Sequence, residues 1–210
     1  CIRDRNNIVL IFDECTSGFR ETFGGLHKKY GVEPDIAVFG KALGNGYPIT
    51  AVIGRQEVME VAQDTFISST FWTERIGNVA GLKTLEIMEK ERSWESITNV
   101  GNSINRRWRK LASKFDLPLE LSGLPALTSF NIVSTNWQIY KTVITQEMLS
   151  QGFLATNAIY ACTEHTPDLI DQYFEHLEPI FSLIAECEAD RPAEPLLKAP
   201  VSHTGFRRLN

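Results

Sequence analysis

The sequence predicts an α/β protein whose first part contains a largely parallel sheet. Three short apolar runs, at residues 8–13, 36–39 and 50–54, have the length and composition of buried strands. Helical or loop segments separate these runs, and this alternation is typical of an α/β sandwich with a largely parallel sheet. From about residue 93 the pattern changes to long amphipathic helices and a half-buried strand, which predicts a second, smaller α+β unit.

The same pattern divides the chain into three parts. Residues 1–92 contain the predicted sheet, residues 93–190 form the α+β unit, and residues 191–210 form an extended tail with three prolines. We expect three apolar side chains to hold this tail to the body: Leu196, Leu197 and Phe206.

Further elements follow from local signals. In the first part, residues 55–63 predict a helix, Phe66–Trp72 a further strand with its exit loop, and Glu74–Glu91 a long helix. In the second part, the predicted elements are helix 94–114, strand 127–133, helix 145–152 ending at a glycine, and a helix capped by Thr166 with Pro167 at its first position.

Composition limits the classes of partner. The chain has 210 residues, 43% of them apolar, and a net charge of −5, so we expect a soluble globular protein and no nucleic-acid partner. The basic cluster at residues 106–110 suits the solvent face of a helix whose Ile104, Trp108 and Leu111 point inward. No apolar run is long enough to span a bilayer, so we expect no membrane partner.

Cysteine usage predicts a reducing compartment. The four cysteines lie far apart and form no C-x-x-C pair: Cys1, Cys15, Cys162 and Cys187. We expect them to be reduced thiols of a cytoplasmic protein. Because the four histidines are also scattered, we expect no metal site.

Asp13 and Lys41 are the candidate catalytic residues. Asp13 ends the first apolar run, and Lys41 follows the second run after Gly40. Pyridoxal phosphate needs an amine to form a Schiff base and an acid to hold its ring nitrogen protonated, and this pair supplies both. Once displaced from the cofactor, Lys41 would be a base beside the substrate carbon, able to move a proton between that carbon and the carbonyl carbon of the cofactor.

Simpler explanations exist for each residue alone. An aspartate at a strand end often caps a turn, and a Gly-Lys pair often lies in a surface loop. Three glycines around Lys41 favour function, because they permit sharp turning, close approach or positive φ: Gly40, Gly44 and Gly46. Glu14 could replace Asp13 as the acid, but strand alternation points it to the opposite side.

These residues belong to a longer pattern. It comprises Leu10-Ile11-Phe12-Asp13-Glu14, Ser17-Gly18-Phe19-Arg20, Tyr30-Gly31-Val32-Glu33-Pro34-Asp35, the block at Gly40-Lys41, and Ser69-Thr70-Phe71, and it continues with gaps to His165-Thr166. The pattern resembles the class III, fold type I pyridoxal-phosphate aminotransferases, nearest the glutamate-1-semialdehyde aminomutase group. Cys15 departs from it, since the family usually has a small or branched aliphatic residue there, and we expect Cys15 to pack.

The resemblance implies a fold, a site and partners. It implies the C-terminal part of the large domain of a fold type I enzyme, followed by the small C-terminal domain, with the N-terminal half of the enzyme absent. Pyridoxal 5'-phosphate would be bound by Asp13 and Lys41, and by Thr70 across the interface of a homodimer with shared active sites. Ser68 and Ser69 are alternatives to Thr70, although we expect both to satisfy backbone groups. The substrates would be a small-molecule amino donor and a carbonyl acceptor.

Two alternatives to a transaminase stay open. The first is an aminomutase, which shifts the amino group within one molecule; the glutamate that the aminomutases carry near the C-terminal active-site loop falls on Asn157 here, which favours a transaminase. The second is that the isolated chain is a non-catalytic fragment or a dimerisation module. Arg20 could bind a substrate carboxylate, but we expect it to hold the loop after Asp13.

Overall fold

The computed structural model describes residues 2–203, so Cys1 and Phe206 lie outside the described residues. The chain divides into two compact units between Thr98 and Asn99. Within residues 2–203, six α-helices have the bounds Ile2–Arg5 (α1), Gln56–Met59 (α2), Arg75–Glu91 (α3), Ser93–Lys114 (α4), Trp137–Ser150 (α5) and Pro167–Ala189 (α6). The boundary between the units falls inside α4, and each unit carries its own three-stranded sheet.

The first sheet is mixed rather than largely parallel. Its strands are Ile11–Asp13 (β1), Ile36–Phe39 (β2) and Ala51–Gly54 (β3), in that order, with β1 parallel and β3 antiparallel to β2. The expectation of a largely parallel sheet is wrong for β3, because the eleven residues 40–50 are too few for the crossover that a parallel connection needs. The strand expected at 8–13 begins only at Ile11.

The strand expected at Phe66–Trp72 is absent from the described residues. This segment instead forms a turn, in which the amide of Trp72 donates to the carbonyl of Ser69. The sequence predicted a strand with its exit loop here, yet the side chain of Phe66 is 96% exposed. No neighbouring strand pairs with this segment among residues 2–203, so its β-prone composition alone did not make it a strand.

Helix α3 packs through its glycines. Gly77 and Gly81 are buried against the turn at Pro48–Ile49, where a Cβ on Gly77 would lie 2.8 Å from the carbonyl oxygen of Pro48. The opposite face carries three exposed apolar side chains, called the α3 stripe: Ile76, Val79 and Leu82. The buried core of the first unit is small, comprising Ala37, Phe39 and Leu43. The first unit therefore leaves much apolar surface in solvent.

The second unit has a larger core. Its antiparallel strands are Leu119–Ser122 (β4), Leu127–Ile132 (β5) and Ala158–Tyr160 (β6), in that order. The inward positions expected on α4 are confirmed, since Ile104, Trp108 and Leu111 are all buried. The indole Nε1 of Trp108 donates to the hydroxyl of Tyr173 over 3.1 Å, which pairs the polar atoms that burial removes from water.

The observed starts of α5 and α6 can be compared with the predicted ones. The cap at Thr166 is confirmed, because its Oγ1 accepts a hydrogen bond from the amide of Leu169 and Pro167 begins α6. The helix expected at 145–152 begins earlier, at Trp137, because Tyr140, Val143 and Ile144 continue its buried face toward the N-terminus.

The described part of the tail lies along α5. Leu196 and Leu197 are half-buried against the core of the second unit, as expected. Gln146 donates to the carbonyl of Leu196 over 2.6 Å, and Gln138 donates to the carbonyl of Ser202 over 2.6 Å. Side chains of α5 therefore satisfy backbone groups of the described tail, which is extended apart from a short 3-10 helix at Glu194–Leu196.

Candidate active site

The parallel pairing of β1 and β2 brings both candidate catalytic residues to one edge of the first sheet. Asp13 is paired with Val38 in the register, and β2 ends at Phe39, so Gly40 and Lys41 follow at the same edge as the end of β1. Carboxyl ends of adjacent parallel strands are where α/β sheets place ligand-binding loops. The sheet thus positions the aspartate and the lysine at neighbouring strand ends.

Lys41 has an unusual backbone conformation and a defined side-chain partner. Its φ is +41°, in the left-handed region that non-glycine residues seldom adopt. Its exposed Nζ donates a hydrogen bond to the hydroxyl Oγ1 of Thr16. Sequence reasoning missed Thr16, although its place three residues after Asp13, in the same loop, was a signal that its side chain would lie at this edge.

Lys41 lines a cavity of about 700 Å³ in the first unit. Its lining combines the lysine amine with two serine hydroxyls and several aromatic rings: Cys15, Lys41, Tyr47, Pro48, Ile49, Thr50, Ile67, Ser68, Ser69, Phe71, Trp72, Glu74, Gly77 and Asn78. Thr70 lies exposed in the turn between Ser69 and Phe71 and does not line this cavity. A cation, hydroxyl donors and apolar walls suit a ligand with an anionic group and a flat ring.

Gly40 allows the two loops to approach each other. A Cβ at this position would lie 2.8 Å from Sγ of Cys15, closer than a side chain could be accommodated without movement. Cys15 is a free, half-buried thiol that packs against Gly40 and lines the lysine cavity. At Gly46, φ is +102°, so the positive φ expected of the glycines around Lys41 is found there.

Asp13 faces a second cavity, of about 360 Å³, which His27 and Tyr30 also line. Its side chain is exposed, and its Oδ1 accepts a hydrogen bond from the backbone amide of Cys15 over 3.0 Å. The structure therefore places Asp13 beside Cys15, a lining residue of the lysine cavity, while Asp13 itself lines the neighbouring one.

Glu14 is buried, on the opposite side from the exposed Asp13, as strand alternation predicted. Its Oε2 accepts from the hydroxyl of Ser17 over 2.5 Å, and its Oε1 accepts from the backbone amide of His27 over 2.9 Å. Burial by itself would raise the pKa of Glu14, but these hydrogen bonds outweigh burial and hold that pKa below its ordinary value of 4.5. Glu14 thus fastens the loop that follows Asp13.

Two further candidates make contacts with the backbone. Arg20 donates through Nε to the carbonyl of Thr16 over 3.4 Å, a contact within the loop after Asp13. In the second unit, Nδ2 of Asn157 donates to the carbonyl of Phe130 over 2.9 Å, and the amide of Phe130 donates to the carbonyl of Asn157 over 2.9 Å. Asn157 therefore pairs with a strand of its own unit.

Comparison with solved structures defines the class of fold. The chain aligns with a TM-score of 0.82 and 22% identity to the FumI protein of Sphingopyxis sp. MTA144, solved with PLP, over 93% of this chain and 48% of that one. An omega-transaminase from Sphaerobacter thermophilus aligns with a TM-score of 0.76 and 21% identity, over 88% of this chain and 46% of that one. The fold is that of the fold type I pyridoxal-phosphate transaminases, as expected.

Sequence comparison defines the family. The family described as aminotransferase class-III matches residues 1–180, so the chain belongs to the class III aminotransferases. It is 36% identical over 146 residues to a 3-aminobutyryl-CoA aminotransferase of Cloacimonas acidaminovorans, covering 69% of this chain and 35% of that protein. It is 29% identical over 197 residues to a glutamate-1-semialdehyde 2,1-aminomutase of Methanocaldococcus jannaschii, covering 86% of this chain and 46% of that protein. The chain thus spans less than half of the length of these relatives.

Family and fold confirm the expected cofactor class, pyridoxal phosphate, which is also bound in a further transaminase of the same fold. Within residues 2–203, no group of three or more histidine, cysteine, aspartate or glutamate side chains could hold a metal ion. None of the described helices is both long and apolar enough to cross a bilayer.

Proposed function

We propose that the full-length protein is a pyridoxal-phosphate-dependent aminotransferase, which moves an amino group from an amine or amino acid to a carbonyl acceptor. The observation that carries this proposal is that Lys41 lines a cavity at the sheet edge where β1 ends in Asp13. Membership in the class III family supports the reaction type. The relatives are named for different substrates, a 3-aminobutyryl-CoA and a glutamate-1-semialdehyde, which share an amino group and an acyl or carbonyl carbon.

The residues present fit this cofactor. The lysine cavity offers an amine, the hydroxyls of Ser68 and Ser69, and flat aromatic walls, while Asp13 supplies a carboxylate at the adjacent strand end. Lys41 would hold the cofactor covalently, and Asp13 would accept a hydrogen bond from the protonated ring nitrogen. When bound, pyridoxal phosphate supplies an electron sink for the pair left behind when the bond from the substrate carbon to its proton breaks.

Each of the two residues then has one task. The amine of Lys41, when it is not bonded to the cofactor, would take the proton from the substrate carbon and return it to the carbon that was the carbonyl carbon of the cofactor. The carboxylate of Asp13 holds the proton on the ring nitrogen, since an opposite charge favours the protonated form. The hydrogen bond from the amide of Cys15 to Oδ1 of Asp13 orients that carboxylate and leaves Oδ2 without a partner among the described residues.

Peptide mapping tests the assignment of Lys41. Borohydride treatment of the full-length protein loaded with pyridoxal phosphate should leave the cofactor attached to the peptide that contains Lys41. The variant Lys41→Ala is the control and should give no stable adduct. An adduct on another lysine in the wild-type protein would show that the wrong amine has been assigned.

An aminomutase is the second candidate, because several aminomutases are among the relatives. Asn157, at the position where the aminomutases carry a glutamate, makes hydrogen bonds to the backbone of Phe130, which supports a structural role for this residue. The two reactions differ in a measurable way. A transaminase needs a separate acceptor for turnover, whereas an aminomutase converts glutamate-1-semialdehyde with no second substrate.

We further propose that the enzyme is a cytoplasmic homodimer with shared active sites. The α3 stripe supports the dimer, since its side chains Ile76, Val79 and Leu82 are 55%, 64% and 71% exposed. An apolar surface of this kind suits a protein partner better than water. Thr70, exposed in the turn before α3, would donate its hydroxyl to the cofactor phosphate of the partner subunit. The free thiols of Cys15, Cys162 and Cys187 are in keeping with a reducing compartment.

Subunit mixing tests the shared site. Losing one hydrogen bond to a charged group costs about 1.5–3 kcal/mol, so Thr70→Ala should weaken cofactor affinity roughly ten-fold or more, while Thr70→Ser keeps most of it. Subunits with Lys41→Ala mixed with subunits carrying Thr70→Ala should then regain one intact site in each mixed dimer. If mixing restores no binding beyond that of the separate variants, Thr70 acts within its own chain or not at all.

A further inference from the structure

The amine of Lys41 forms a hydrogen bond with a residue in the loop that follows a different strand. Its hydrogen-bond acceptor is Oγ1 of Thr16, in the loop after β1, whereas Lys41 follows β2. Lys41 forms no ion pair with a carboxylate among residues 2–203. A lysine side chain has four rotatable bonds, so an exposed amine without an acceptor would sample many positions. The contact with Thr16 therefore decides where this amine lies.

Thr16 is itself held in place on both sides. The preceding amide, of Cys15, donates to Oδ1 of Asp13 over 3.0 Å, and the carbonyl of Thr16 accepts from Nε of Arg20 over 3.4 Å. Two residues further on, the amide of Gly18 donates to the carbonyl of Glu14 over 2.8 Å. The Thr16 hydroxyl is thus presented by a loop whose backbone is already hydrogen-bonded.

We propose that Thr16 is a positioning residue for Lys41, which holds the lysine amine beside the loop after β1 whenever that amine is not bonded to the cofactor. The inference rests on the proposed function and adds a residue to it. Thr16 would link the two strand ends, because the loop that begins at Asp13 also fixes the amine that follows β2. The side chain needed at this position is one that carries a hydroxyl, since its oxygen must accept a hydrogen bond from the lysine amine.

The rate of cofactor capture measures this positioning directly. The full-length protein is freed of cofactor, mixed with pyridoxal phosphate, and quenched with borohydride at successive times, and the modified Lys41 peptide is quantified by mass spectrometry. Thr16→Val keeps the shape of the side chain and removes the hydroxyl, so we expect capture to slow about ten-fold, which equals about 1.4 kcal/mol. Thr16→Ser keeps the hydroxyl and should capture within about two-fold of the wild type. Modification of the exposed Lys90 is the internal reference and should not change.

The outcomes separate the inference from the function on which it rests. Equal capture rates in the wild type and in Thr16→Val would overturn the inference and leave the proposed function standing, as would equal slowing in the valine and serine variants. A wild-type protein that never acquires the cofactor on Lys41 would overturn the proposed function itself. Thr16→Ala also removes the hydroxyl and replaces the valine variant if that variant does not fold by circular dichroism.

Discussion

Replacing Gly77 by alanine should destabilise helix α3, although alanine is the better helix former. The Cβ of alanine would lie 2.8 Å from the carbonyl oxygen of Pro48 and 3.3 Å from Cβ of Ile49. Gly81, one turn later on the same buried face, is a matched control. Its added Cβ would meet Cδ1 of Ile49 at 3.4 Å and the carbonyl oxygen of Leu43 at 3.7 Å, both ordinary contacts.

The magnitude follows from two opposing effects. Alanine in place of glycine inside a helix contributes about 1 kcal/mol of stability at either position. Overpacking against atoms that must shift costs about 1–3 kcal/mol, and at Gly77 the nearest atom belongs to the backbone and cannot rotate away. We therefore expect Gly81→Ala to stabilise α3 by up to about 1 kcal/mol and Gly77→Ala to destabilise it by up to about 2 kcal/mol. The helix propensity cancels in the difference between the variants, which leaves the overpacking of about 1–3 kcal/mol.

Hydrogen exchange of the α3 amides measures this difference, because it reports local opening without requiring that both units unfold together. A difference of about 1–3 kcal/mol corresponds to roughly five- to 150-fold faster exchange in Gly77→Ala than in Gly81→Ala. The clash would also displace Pro48, which lines the lysine cavity, so capture of pyridoxal phosphate should slow in the Gly77 variant alone. Equal exchange rates in the two variants would refute the close packing of α3 on the Pro48–Ile49 turn.

Two further predictions concern the carboxylates at the end of β1. Asp13→Asn should keep the fold and nearly abolish turnover, because a neutral amide no longer favours a proton on the ring nitrogen of the cofactor. Full activity of this variant with any accepted donor and acceptor would show that Asp13 is not the partner of the ring nitrogen. Glu14→Gln should weaken the loop after β1 by about 1.5–3 kcal/mol at neutral pH, since hydrogen bonds to a charge are lost. Because the pKa of Glu14 is lowered in the folded state, its contribution is present at neutral pH and is lost as the pH falls below 4.5 and through the folded pKa. Acid unfolding should therefore be less steep in the glutamine variant, and identical acid profiles would contradict this account.

The sequence located the strand ends because their signals are local. Short apolar runs define β1, which ends at Asp13, and β2, which ends at Phe39, and alternation assigned opposite sides to Asp13 and Glu14. These signals need no knowledge of distant residues. The roles of Asp13 and Lys41 stay predictions, since the geometry shows only that their strands bring them to one edge.

Other features depend on contacts that the sequence does not encode locally. The segment Phe66–Trp72 has a strand pattern but forms no ladder with the described residues, and a strand exists only with a partner. The partner of Lys41 was missed for the same reason, because Thr16 reaches it only through the pairing of two separate strands. The inward glycines of α3 likewise follow from the turn at Pro48–Ile49, which a helical pattern cannot reveal.

The backbone conformation at position 41 is unfavourable for lysine, although the proposed chemistry needs the lysine amine there. At φ +41°, glycine has no Cβ to crowd the neighbouring carbonyl, whereas an ordinary L-residue gives up roughly 1–2 kcal/mol. A library screened only for resistance to heat should therefore accumulate glycine or asparagine at position 41, and its most robust members would lack the amine. Stability-guided redesign of this protein must hold position 41 fixed and look for its gains elsewhere.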